Sequence, residues 1–434
     1  MRLACFKNIV FITILMFISC GSSTNEPTSK DQTEDAVSNE MNEGDATADN
    51  LPNTSNTKKD LPIIMGADRW EEYRSLLEGK KVGVVTNQTS VIQVNDDASS
   101  NETTPTHLID FLFEKDLQVQ AIFAPEHGFR GKADAGELIK DGRDSKTGIP
   151  IISLYGKNKK PSSEQLKNID VMVFDIQDVG ARFYTYISTL HYVMEACAEN
   201  NIPLLVLDRP NPNGHYIDGP ILDSEHQSFV GMHPVPVVHG MTIGEYARMI
   251  NGENWLKNGS RCELKVIPME NYRHDVRYSL PVKPSPNLPN AKAINLYPSL
   301  CFFEGTPISA GRGTEMQFQI FGAPTLPPSK YTFEFTPRPN EGAKYPKFSA
   351  ELCYGKDLRD YPYVNQLHLE WLIGAYEAAG KPDDFFIPFF TKLAGTESLQ
   401  QQIEAGMSPS EIRASWSNGL KEYDAMRQSY LLYK

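Results

Sequence analysis

Three apolar runs in this chain end in the same way. Val119 to Phe123 leads into Ala124-Pro125-Glu126-His127-Gly128-Phe129-Arg130-Gly131. Val171 to Phe174 leads into Asp175-Ile176-Gln177-Asp178-Val179-Gly180-Ala181-Arg182, and Leu204 to Leu207 into Asp208-Arg209-Pro210-Asn211-Pro212-Asn213-Gly214. Each delivers a carboxylate, a guanidinium and a glycine at a bend. In open α/β sheets, ligands bind outside the carboxyl ends of the strands, so these ends read as the rim of a site.

The chemistry such residues suit is glycosidic bond cleavage. That reaction needs a carboxylic acid to protonate the leaving oxygen and usually a second carboxylate as base or nucleophile. Glu126, at a strand end beside Phe129, is the candidate acid; alternatively it pairs with Arg130 and holds its loop. His127 binds substrate or tunes Glu126, or makes a loop hydrogen bond. Asp178 is the second-carboxylate candidate, because Asp175 lies nearer the strand and is more readily tied up in backbone contacts. Arg182 can grip a carboxylate, and Tyr184 and Tyr186 can stack on a pyranose face; the alternative is an internal Asp–Arg pair at the turn. Asp208, Arg209, Asn211 and Asn213 sit on a loop stiffened by Pro210 and Pro212, as ligand contacts or as a turn built on Asx hydrogen bonds. Farther on, Gly311 and Gly313 flank Arg312, which can hold an anionic substituent bidentately or pair with Glu315. Glu304 is a further possible carboxylate.

Other chemistries lack their signatures. His215, His233 and His239 are scattered, without HExxH, and read as structural rather than metal ligands. No GxGxxG follows the first strand, so no dinucleotide cofactor is expected, and the phosphate-loop and Gly-x-Ser-x-Gly patterns are missing. No cofactor is assigned.

The elements that must position these residues alternate. Helices are expected over 69–77, 107–113, 162–167 and 185–198, with strands over 81–85, 119–123, 150–154, 171–174, 204–207 and 262–267. Short, wholly apolar strands between helices argue for a parallel sheet covered on both faces. Thr242 and Glu245 form a capping box at a helix start. The Pro-rich passage 281–298 is expected to break regular structure, with a domain boundary near 290. Beyond it, strands are expected over 317–321 and 331–335 and helices over 364–379 and 409–432. The last has Ser408 as N-cap, Pro409 first and Glu411 at N3.

The 434 residues carry a net charge of −13, with 40% hydrophobic and 22% charged side chains, so most of the chain should fold around a sizeable core. Residues 1–20 read as a lipoprotein export signal: Arg2 and Lys7, an apolar Ile9 to Ile18, then small residues around Cys20, the expected lipidation site. Residues 21–60 read as a disordered acidic tether, with nine acidic and three basic side chains and almost no large apolar ones. The expected location is therefore the cell envelope, anchored to a membrane through this lipid only and facing the periplasm. No basic patch suggests nucleic acid. Cys197, Cys262, Cys301 and Cys353 show no CxxC pairing and read as buried thiols.

The runs Gly83 to Thr89, Pro125 to Gly131, Phe174 to Tyr186 and Leu207 to Pro212, with Pro284-Ser285-Pro286-Asn287-Leu288 and Gly311-Arg312-Gly313-Thr314, together resemble the exo-β-N-acetylmuramidase family. The resemblance spans about residue 63 to the end. It implies an α/β fold: a Rossmann-like, mostly parallel sheet domain (61–289) and a smaller α+β C-terminal domain (290–434), with the active site in the cleft between them. It implies a glycoside hydrolase that removes N-acetylmuramic acid from non-reducing ends of peptidoglycan fragments, with Glu126 as the catalytic residue. It adds Asn287 and Thr314 to the substrate-binding residues. Two other readings compete: an envelope hydrolase cutting the amide between muramic acid and peptide, and a muropeptide-binding lipoprotein without catalysis.

Overall fold

The structure is a computed structural model that describes residues 61–94, 104–126, 128–129 and 142–434. Cys20, His127 and Arg130, named above for lipidation and substrate contact, lie outside the described residues. The described residues belong to one compact unit.

The strands are β1 (Lys81–Thr86), β2 (Val91–Val94), β3 (Thr104–His107), β4 (Gln118–Ala124), β5 (Gly142–Arg143), β6 (Pro150–Ser153), β7 (Val171–Asp175), β8 (Leu204–Leu207), β9 (Leu264–Ile267), β10 (Ile320–Ala323), β11 (Phe333–Phe335) and β12 (Cys353–Asp357). The helices are α1 (Trp70–Leu77), α2 (Leu108–Glu114), α3 (Ser163–Leu166), α4 (Tyr186–Asn200), α5 (Ile243–Gly252), α6 (Ala291–Leu300), α7 (Leu369–Ala378), α8 (Pro388–Ala394), α9 (Ser398–Glu404) and α10 (Pro409–Arg427). A seven-stranded sheet runs β5-β6-β4-β1-β7-β8-β9, parallel throughout except for the β5–β6 pair. Without β5, the chain builds outward from β1 to one side and then to the other. That is the Rossmann order, and it puts the switch point between β1 and β7. A second sheet, β10-β12-β11, is antiparallel.

Period-2 side-chain alternation explains the apolar strands. Val82, Val84, Val173 and Leu205 face one core with Tyr73, Leu77 and Leu112 from α1 and α2. Val85, Met172, Phe174 and Val206 face the other, a larger core. It takes in Leu190 and Met194 of α4, Tyr246 and Ile250 of α5, and Phe302, Trp371 and Phe390 of the C-terminal part. One core therefore joins the parallel sheet to the residues after 290. Cys197, Cys262, Cys301 and Cys353 are buried free thiols.

Capping boxes start α3 at Ser162, α5 at Thr242 and α10 at Ser408, as their sequences dictate. The Pro-rich passage is corrected from residue 291 onward. Residues Ala291–Leu300 form α6, with Asn290 accepting from the Ala293 amide at 2.9 Å and Pro298 inside the helix. The strand expected over 317–321 instead begins at Ile320, because Phe318 sits at φ 50°, which an extended strand does not allow. Among the described residues no helix is long and apolar enough to cross a membrane.

Candidate active site

The register of the sheet sets the floor of the site. Thr86 of β1 lies level with Asp175 of β7, and Val85 with Phe123 of β4, so three strands end along one edge. Glu126 follows β4 by two residues. Its Oε2 accepts a 2.8 Å hydrogen bond from the Thr185 hydroxyl, and Thr185 is the N-cap residue of α4. The carboxylate thus lies at the positive end of a helix, which favours negative charge there. The Tyr155 hydroxyl, just past β6, also bonds Glu126. Burial first, and then the adjacent carboxylate, push the Tyr155 phenol up to about 12, so it stays protonated.

Glu126 opens onto a cavity of about 370 Å³, within the roughly 300–1,000 Å³ typical of small-molecule sites. Phe183, Tyr184, Tyr186, Phe229, Tyr297 and Phe389 supply aromatic wall, and Asn287, Lys159, Glu304 and Arg312 supply polar groups. Tyr184 and Tyr186 meet edge to face at 4.8 Å, and their hydroxyls are fixed by the Pro284 carbonyl and the Asn87 amide. Asn287 is buried, and its Nδ2 donates to the Gly342 carbonyl at 2.7 Å. Arg312 Nε lies 3.2 Å from Glu304 Oε1. No hydrogen bond engages the terminal nitrogens of Arg312 among the described residues, so the guanidinium fork still has donors to offer.

The other strand-end residues do not reach this cavity. Asp175 and Arg209 form a bidentate pair at 2.5 and 2.9 Å with side chains 0% and 2% exposed. Both were expected at the substrate; they are a buried brace. Asp208 accepts from the Arg209 and Gly244 amides and from the Thr242 and Tyr433 hydroxyls, which uses its oxygens completely. Asn211 donates to the Met241 carbonyl and accepts from the Asn213 amide, so that loop is an Asx-type turn. Gly180, at φ +79°, packs so closely on Asn211 that a Cβ there would collide with its amide.

Asp178 is corrected as the second carboxylate. It is 4% exposed, accepts from the Gly180 amide at 2.7 Å, lies 3.5 Å from His239 Nε2, and is not among the residues that line the cavity. Arg182 is corrected as a substrate anchor. Its Nη1 donates to the Pro220 and Val235 carbonyls and its Nη2 to those of Leu393 and Ala394, at 2.6–3.0 Å, with the side chain fully buried. Burial pulls its pKa down to about 10, still high enough to hold the proton at neutral pH. Thr314 closes its own turn by donating to the Gly311 carbonyl at 2.7 Å. Arg312 pairs with Glu304 rather than Glu315.

Among the described residues, Glu304 is therefore the second carboxylate that lines the cavity. It sits in the 3₁₀ turn Cys301–Gly305, and Lys347 Nζ donates to the Phe303 carbonyl within that turn and to those of Thr306 and Ile308 just after it. Sequence reasoning missed Tyr155, Lys159, Thr185 and Phe229. Tyr155 and Lys159 follow β6, which is parallel to β4, so the strand-end rule that found Glu126 points to them as well. Among the described residues no group of His, Cys, Asp and Glu is arranged to hold a metal ion.

Comparison with known proteins adds three findings. Residues 82–292 and 295–433 match the profiles described as the N-terminal and C-terminal parts of exo-β-N-acetylmuramidase NamZ. The chain is 39% identical over 412 residues to the peptidoglycan β-N-acetylmuramidase NamZ of Bacillus subtilis (strain 168), covering 88% of this chain and 94% of that one. Two crystal structures of DUF1343 family proteins from Bacteroides fragilis superpose with TM-scores of 0.78 and 0.72 at 45% and 30% identity. Each covers 86% of this chain and 99% of its own.

Proposed function

The chain belongs to the exo-β-N-acetylmuramidase family, and on that premise we propose that it is an exo-acting glycoside hydrolase releasing N-acetylmuramic acid from non-reducing ends of peptidoglycan fragments. The observation that carries the reading is the setting of Glu126. Its carboxyl is oriented by Thr185 and Tyr155 on one wall of an aromatic cavity, and the Glu304–Arg312 pair occupies another part of the lining.

Glu126 gives its proton to the glycosidic oxygen as the bond to the anomeric carbon breaks, so the leaving sugar departs as a neutral alcohol. Water adds to the anomeric carbon, and Glu304 takes the water's proton. Tyr184, Tyr186 and Tyr297 hold the pyranose ring, and the free donors of Arg312 reach its oxygens. Incubation with a muramic acid–glucosamine disaccharide tests this by mass spectrometry. Free N-acetylmuramic acid is expected; an intact disaccharide, or release of peptide from a muropeptide instead, overturns the reading.

The remaining part of the proposal concerns location. Export with lipid attachment at Cys20 would place the enzyme in the envelope, facing the periplasm, with residues 21–60 as a spacer. The support is the sequence pattern of residues 1–23. Replacing Cys20 with Ala should abolish incorporation of labelled fatty acid; persistent labelling would disprove it.

A further inference from the structure

Among the described residues, four charged side chains line the cavity: Glu126, Glu304, Arg312 and Lys159. Glu304 and Arg312 neutralise each other. Glu126 must carry a proton to act as an acid. Lys159 is left as the cation without a carboxylate partner among the described residues.

Its neighbour shows that this is not for lack of acids nearby. Lys160 is paired at 2.7 Å with both Glu195 and Glu199. Lys159 instead rests its Nζ 4.1 Å from the centroid of the Phe229 ring. Phe229 is in turn stacked on Tyr192 of α4, at 6.2 Å and 18°. A ring face steadies an ammonium group without using up its N–H donors as a carboxylate would. The side chain is thereby aimed but not satisfied, and a partly enclosed cavity strengthens its attraction for an anion.

We propose that Lys159 is the specificity-determining residue of this site, its ammonium binding the carboxylate of the sugar's lactyl substituent. The inference rests on the function proposed above and names the group that separates N-acetylmuramic acid from N-acetylglucosamine, which has no such carboxylate. Arg312, already neutralised, contributes hydrogen bonds rather than net charge. Phe229 and Tyr192 act as positioning residues for Lys159.

The experiment measures binding of free N-acetylmuramic acid and free N-acetylglucosamine by calorimetry, together with hydrolysis of the aryl glycoside of each. It uses the full chain and its Lys159→Met and Lys159→Arg variants. Lys159→Met should weaken binding of the acidic sugar by about tenfold to a hundredfold. Binding of the neutral sugar should change by less than about twofold, since no charged contact is lost. Lys159→Arg should recover most of the affinity, and added salt should weaken wild-type binding of the acidic sugar alone. Equal losses for both sugars, or none for either, would overturn the assignment, with the thermal melt of each variant showing that it is folded. A wild-type enzyme that binds the acidic sugar through Lys159 but releases no product would sink the proposed function and leave this assignment standing. Normal hydrolysis with unchanged sugar preference in Lys159→Met would sink this assignment alone.

Discussion

The ends of β4 and β7 look alike in sequence and do opposite work. Both follow an apolar strand with an acid, glycine and arginine. After β4, Glu126 is only partly buried and opens onto the cavity. At the end of β7, Asp175 is 0% exposed and locked to Arg209, while Arg182 in the turn that follows spends its terminal nitrogens on four backbone carbonyls. The difference is what stands opposite. The turn after β7 is covered by the β8 loop, through Gln177 to the Pro210 carbonyl and Asn213 to that of Val179, and by the residues around 235 and 393, through Arg182. Glu126 faces the start of α4 instead. A charged strand end becomes chemical where its neighbours leave it room, and structural where they close over it.

The sharpest way to break that contrast is Glu126→Gln. It removes the transferable proton but keeps the shape, so kcat should fall by roughly 10²–10⁴ with an unchanged melting temperature. Near-normal turnover would return Glu126 to a loop-holding role. The converse is Arg209→Met, which strands Asp175 as an unpaired buried charge. It should cost on the order of 3–5 kcal/mol by denaturant titration, while the KM of the folded fraction is unchanged. A large KM effect with normal stability would place Arg209 at the substrate after all.

A smaller effect sharpens the comparison through pH. Burial, and then the neighbouring Glu245, push the Asp208 carboxyl up to about 7, despite the donors that surround it. Between about pH 4 and 7 the folded state therefore holds a proton that the unfolded chain has lost, and the Thr242 or Tyr433 hydroxyl can turn to accept it. Stability from this group is full below about 4 and declines as pH rises through about 7, by up to ~1.4 kcal/mol per unit. Denaturation of wild type and Asp208→Asn at pH 5 and 7.5 checks the sign. An equal slope in both proteins would remove Asp208 as its source.

The sheet was legible in the sequence because buried parallel strands are short, apolar and punctuated. Val171 to Phe174 and Leu204 to Leu207 could be little else. The small antiparallel sheet is less legible, since Cys353–Asp357 reads Cys-Tyr-Gly-Lys-Asp and its buried face offers only Cys353 and Gly355, no run of large apolar side chains. Glu126 was legible because it ends a strand. Glu304 carries a weaker sequence signal, because it lies in a 3₁₀ turn where no strand pattern marks an edge. Asp178 and Arg182 were overvalued for a physical reason. Sequence shows that a charge follows a strand, but not whether Gly180 curls its amide onto the acid or whether distant carbonyls surround the guanidinium.

Arg182 has one more consequence. Its single guanidinium joins the turn after β7 to carbonyls at 220, 235, 393 and 394, and Gly395, at φ +75°, leaves just the space its Nη2 occupies. Leu393 belongs to α8 and also lines the cavity. A hinge that swung α8 away from the sheet would have to strip a buried cation of two acceptors at once. The wall carrying α8 is thus braced before any sugar arrives, so binding spends little free energy on ordering it.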